Sequence, residues 1–280
     1  MKINHLIPLA CAAALALAGC SKSGDNASDM AKLEISLVDG PGDFQAVVLD
    51  VRQVEVHLKE ENDPTGWQLL PFQAQAINIL DYVNGRSALL VSTDFAPGDL
   101  KEIRLLLGPD SYVTGRDGLR YDLKTPSGQS SGVKLKLDKA SLRTRETFQL
   151  VLDFNVAKSI VERGNWRLGD DKKERYLLKP VIRVLAQDLR ATLKGTAAPA
   201  AARPQVLAIR QSITPADTFS TAADATSGQF QFNNLPSGTY RVELFPTTTA
   251  PAGQTYRVET RSNVVLTNDQ VTDLQRIQLN

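Results

Sequence analysis

The chain has 280 residues with 32 basic and 31 acidic side chains, a formal net charge of +1. That balance excludes the basic field that draws a protein to nucleic acid or to anionic lipid. Of the two cysteines and two histidines, His5 and Cys11 lie in the first 19 residues, read below as a removed signal, so Cys20 and His57 alone remain and cannot assemble a Cys/His zinc site; no Gly-rich phosphate loop or dinucleotide fingerprint occurs.

The chain opens on a short polar start with Lys2 and His5, followed by an apolar run from Leu6 to Ala18 broken only by Pro8. This run has signal-peptide length and is short of the roughly 20 residues that a membrane-spanning helix needs. It ends in Leu17-Ala18-Gly19-Cys20, which resembles a lipobox. The pattern predicts a signal peptide over residues 1–19, cleavage before Cys20, and lipid on the Cys20 sulfur. Ser21 to Asp29 holds no large apolar side chain, and residues 20–31 read as a flexible tether. Ser21 rather than Asp follows the cysteine, the pattern of outer-membrane sorting in a host with two membranes. The expected location is therefore the cell envelope, on an outer membrane facing the periplasm or the surface. Cys11 leaves with the signal, so neither a disulfide nor a free thiol remains. The membrane is reached through the Cys20 lipid, and acyl burial of about 0.8 kcal/mol per methylene makes two or more chains a stable anchor.

From residue 32 the pattern is strand-like almost throughout. Leu33, Ile35 and Leu37 alternate with polar residues, and Asp39 to Asp43 forms a Gly/Pro turn. Val47, Leu49 and Val51 continue the alternation. The phase then slips to Val54, Val56 and Leu58, which predicts a bulge near Arg52-Gln53. Alternation places His57 on the polar face as a solvated strand residue, away from any Ser-His-Asp role. Asn62 to Gly66 is a further turn before Trp67, Leu69 and Leu70. Asp81 to Val91 suggests a short helix or turn. Ile103, Leu105 and Leu107 form a strand, and Arg116-Asp117-Gly118 closes a hairpin. Val133, Leu135 and Leu137 alternate with Lys134 and Lys136. Phe148, Leu150, Leu152 and Phe154 make the clearest one-sided strand, with Asp153 on its solvated face. Asn155 is expected to cap a short helix through Val161, closed by Gly164. Tyr176 to Leu185 reads as one strand, with Pro180 at an edge or bulge.

Composition shifts near residue 194 to an Ala/Pro-rich run, Gly195 to Pro204, without periodicity. Short strands follow around Val206, Phe230, Tyr240, Tyr256–Val258, Val264 and Val271–Leu279. The expected fold is all-β, two β-sandwich domains of immunoglobulin or transthyretin type. Their bounds are residues 32–190 and 191–280.

Two resemblances add to this. Leu37 to Asp43, Val54 to His57, Ile79-Leu80-Asp81, Asn84-Gly85, Leu123 to Gly128, Leu150 to Phe154 and Leu177 to Arg183 follow one another in order. On these, residues 32–186 resemble the domain-of-unknown-function family 4382 of bacterial and archaeal lipoproteins, which implies no catalytic residues. Ser227 to Phe232, Asn234 to Tyr240 and the final strand make residues 192–280 similar to carboxypeptidase regulatory-like, transthyretin-like domains. That likeness implies a seven-strand accessory sandwich, also without catalytic residues. Its usual Gly/Asp-rich opening loop is replaced here by Ala197 to Pro204.

The remaining constellations are small. Asp39 and Asp43 flank a turn near Asp50 and are the calcium candidates, although two carboxylates fall short of a full shell and turn capping also explains them. Lys134, Lys136 and Lys139 form a basic strand face. Trp67 and Trp166 suit either sugar stacking or core packing. The inventory points to no cofactor, no catalytic residue and a non-catalytic binding or structural role, with an envelope protein or glycan as partner. The alternative is a carboxylate-dependent hydrolase acting on envelope glycans. A converging pair of buried carboxylates in a groove would favour it.

Overall fold

The computed structural model describes residues 29–40, 42–58, 65–125, 132–164, 167, 175–186, 191–211, 217–251 and 255–279, without the side chains of residues 138 and 139. The signal sequence, Cys20, most of the Asn62–Gly66 turn and Trp166 lie outside them. No helix among the described residues is long and apolar enough to cross a membrane.

The first sandwich stacks a four-stranded sheet on a nine-stranded one. In the smaller sheet, β1 (Ala31–Gly40) lies between β5 (Ala88–Phe95) and β10 (Thr147–Asn155), with β13 (Ile182–Ala186) beyond β10. β1 and β10 run parallel, pairing Leu33 with Phe148 and Leu37 with Leu152. The period-2 pattern decides the faces. Leu33, Ile35, Leu37, Leu150, Leu152 and Phe154 all turn into the core, at 1% exposure or less. Burial of each contributes roughly 1.5–3 kcal/mol.

The larger sheet is built on β2 (Ala46–His57). β6 (Gly98–Leu107) and β7 (Tyr112–Thr114) follow one another along one edge of β2, and β3 (Trp67–Leu69) and β4 (Gln75–Asn78) along the other. β8 (Arg120–Lys124) pairs with β7 as the expected hairpin, and β9 (Val133–Leu142) with β6. β12 (Tyr176–Leu178) joins β8, and β11 (Ile160–Glu162) joins β12. The pairing of β2 with β6 shifts between Val51 and Gln53, the bulge expected from the phase slip.

Four details differ from the expectation. Tyr176 to Leu185 is two strands in different sheets, because Pro180 ends β12 and the chain crosses to β13. Asn155 does cap a helix, accepting from the Lys158 N–H at 3.0 Å, but that helix, α1, spans only Val156–Ser159 before β11 begins. The helix or turn expected over Asp81 to Val91 is a turn at Asn84-Gly85, which follows a 3-10 helix at Ile79–Tyr82, but its last residues, from Ala88, belong to β5. Tyr256 and Val258 precede a strand rather than forming one.

Among the described residues the second sandwich has seven strands. β17 (Gln229–Leu235), β14 (Ala191–Ala198) and β20 (Val271–Gln278) form one sheet. β16 (Thr218–Ala222), β15 (Gln205–Arg210), β18 (Gly238–Phe245) and β19 (Glu259–Leu266) form the other. Much of the Ala/Pro run is thus strand β14 and the short helix Ala200–Ala202. Small residues are needed there: a Cβ on Gly195 would come within 2.6 Å of the Phe230 ring. Tyr240 is fully buried, and its hydroxyl donates to the Pro236 carbonyl at 2.7 Å.

Candidate functional site

The outer face of the smaller sheet follows from the same alternation that fills the core. Glu34, Ser36 and Val38 of β1 and Gln149, Val151 and Asp153 of β10 point away from the first sandwich. The second sandwich covers that face. Leu185 and Val151 pack into its core, and β16 and β17 stand over the sheet as a wall. A cleft of about 330 Å³ remains along the seam, lined from both sandwiches.

Three polar contacts hold the seam near a single turn. Asn84 and Gly85 both take left-handed backbone angles, φ 57° and 81°, which Asn and Gly adopt at low cost. The turn places the Asn84 N–H 2.9 Å from Thr221 Oγ1, and the Asn84 side-chain amide 3.2 Å from the Gln229 carbonyl. In return, Asn233 donates to the Gly85 carbonyl at 2.7 Å. At the other end Arg183 of β13 donates to the Thr218 carbonyl at 2.7 Å and lies 3.6 Å from Asp153 and 3.7 Å from Asp217.

Most charge in the cleft is matched internally. Glu34 is held by Lys32 at 3.0 Å and accepts from Gln149 at 2.8 Å. Lys32, then Gln149, keep its carboxyl below the usual range. Burial raises Asp153, and Arg183 opposes the rise. Asp39 is 5% exposed, and neither of its oxygens completes a hydrogen bond. Burial pushes its carboxyl well above the ordinary range and the nearby Asp153 charge adds to this, while the Val156 N–H favours the ionised form too weakly to reverse it.

The sequence-derived candidates fare differently. Asp39 joins the cleft wall, whereas Asp43 is exposed and pairs with Arg116. Asp50 is buried in its own network, 2.7 Å from Arg52 and accepting from the Asp110 N–H at 3.2 Å. Among the described residues no group of three or more His, Cys, Asp or Glu side chains is placed to hold a metal. His57 is not solvated but 1% exposed, because β3 and its turn cover that face. Trp67 packs 4.7 Å from its ring, and Gly66 lies against it. Asp153 is likewise not on a wet face, since the second sandwich lies over it. Trp67 is half-buried, with the Arg104 guanidinium 4.2 Å and Lys134 Nζ 5.5 Å from its ring centre, so cations occupy its faces. Lys134 and Lys136 are exposed. Alternation along single strands did not foresee the cleft, because it is made by strands nearly two hundred residues apart. Besides Asp39, the sequence carried a signal in Asn84-Gly85, a turn pair with no strand role of its own.

Among curated proteins none matches the chain. Solved structures with some likeness include the Bacillus anthracis TIE protein, 10% identical with a TM-score of 0.24, covering 90% of this chain and 51% of its own. They also include BcpA, the major pilin subunit of Bacillus cereus, at 9% and 0.25, covering 90% of this chain and 99% of its own. A C-terminal fragment of the pilus adhesin SpaC from Lactobacillus rhamnosus GG stands at 10% and 0.21, covering 88% and 97%. This chain thus spans about half of the TIE protein, and at these TM-scores the likeness carries no functional inference. A family profile is more informative: residues 30–180 match the family described as Domain of unknown function (DUF4382), to which this chain belongs.

Proposed function

We propose that this is a lipid-anchored cell-envelope protein with a non-catalytic binding role, held through Cys20 and engaging an envelope glycan or protein by contact. The interdomain cleft carries this reading. Amide and hydroxyl side chains share its walls with apolar ones, and its carboxylates are tied to neighbouring cations or buried, an arrangement suited to holding a ligand. Ligand sites favour such seams. The sequence supports the anchor through the apolar run and the Leu17-Ala18-Gly19-Cys20 motif.

A second reading is favoured by one observation. Asp39 and Asp153 both line the cleft, and burial raises both. A carboxylate-dependent hydrolase of envelope glycans needs such an acid. Alternation, however, places Asp39 with the core-facing residues of β1 and Asp153 with the outward residues of β10, and Arg183 engages Asp153. The purified chain should be screened against peptidoglycan, polysaccharide, ester and peptide substrates. The binding reading expects no turnover. Turnover that vanishes in Asp39→Asn or Asp153→Asn would establish the hydrolase instead.

A further inference from the structure

We infer that the cleft takes a neutral, polyhydroxylated ligand, one or two sugar rings of an oligosaccharide, between the outer face of β1 and β10 and the wall of β16 and β17. The inference rests on the binding role proposed above and gives it a site and a ligand class.

Size and place come first. A cleft of about 330 Å³ on a seam between two sandwiches falls in the range of small-molecule sites, about 300–1,000 Å³. Its lining then selects the chemistry. Ser36, Asn84, Gln149, Ser220, Gln231 and Asn234 contribute hydroxyl and amide groups. Each both donates and accepts, as sugar hydroxyls do. Tyr82 adds aromatic surface for the apolar C–H face of a ring.

A ligand with fixed charge finds little to pair with. Glu34 is engaged by Lys32 and Asp153 by Arg183, while Arg86 is exposed to solvent, where a charge pair contributes little.

The test uses the full chain purified in mild detergent, so its result does not depend on whether Cys20 anchors the protein in cells. Cellopentaose, maltopentaose and chitopentaose are titrated by calorimetry, with triglycine and a heptaglutamate peptide alongside. At least one neutral oligosaccharide is expected to bind saturably. Ser36→Trp, which fills the cleft floor, should weaken it at least tenfold, and Gln231→Ala at least threefold. Should Ser36→Trp fail to fold, Gln231→Ala decides alone. Binding of no neutral oligosaccharide, binding of a peptide only, or sugar binding indifferent to the cleft variants would each overturn the inference. If a bound sugar is shortened, and chromatography shows the fragments, the site stands and the non-catalytic role falls.

Discussion

The guanidinium of Arg183 lies 4.0 Å from the centre of the Phe219 ring, so a strand of the first sandwich grips a strand of the second. The same side chain donates to the Thr218 carbonyl at 2.7 Å. Stacking and a charge-assisted hydrogen bond thus act together where Leu185 and Val151 of the first sandwich enter the core of the second. A joint with an apolar centre and a polar clasp should make the two sandwiches unfold as one unit.

Arg183→Met tests the clasp. Methionine keeps much of the apolar stem but loses the donor and the cation. The hydrogen bond to a charged group contributes about 1.5–3 kcal/mol, and cation–π contact adds about 0.5–1 kcal/mol. Calorimetry should give one transition for the natural chain, and a lowered or divided transition for the variant. An unchanged single peak would mean that the apolar contacts alone couple the sandwiches.

Asp39 predicts a pH dependence with a definite sign. The unfolded chain releases this proton near pH 4, whereas the folded chain holds it to higher pH. The folded state therefore binds the extra proton across that interval, and its stability falls as pH rises through it. Asp153 acts in the same direction, opposed by Arg183. Urea midpoints should decline more steeply with rising pH in the natural chain than in Asp39→Asn. Parallel profiles would show that Asp39 titrates normally.

Tyr240→Phe removes the hydroxyl that reaches the Pro236 carbonyl and leaves the ring in place. Losing that bond and leaving a buried acceptor unpaired should cost between about 1 and 3 kcal/mol. Denaturant unfolding measures it directly. A loss below about 0.3 kcal/mol would mean that water replaces the hydroxyl.

The strands were legible because one periodicity governs them. Leu33, Ile35 and Leu37 needed only alternation to be placed in the core, and the slip after Val51 announced the bulge. His57 and Asp153 were misplaced for a shared reason. Alternation names the face a residue occupies, but not what later covers that face. Trp67 closes over His57, and the second sandwich closes over Asp153. Pro180 was read as an irregularity within one strand, when its missing N–H marks a crossing between two sheets. The cleft was hidden for the same cause: Ser36 and Gln231 are adjacent to the same space only after the sandwiches dock. Of the site itself, Asn84-Gly85 stood out as a turn, and Asp39 and Asp153 were singled out for other reasons.

In the function proposed above, a lipid on Cys20 would bring the binding surface to a membrane. Cells expressing the natural chain or Cys20→Ala should be fed labelled palmitate and separated into membrane and soluble fractions. The account predicts label on the natural chain, which stays with the membranes, and an unlabelled variant that leaves them. A natural chain that takes up no label, with a variant that remains in the membrane fraction, would contradict it.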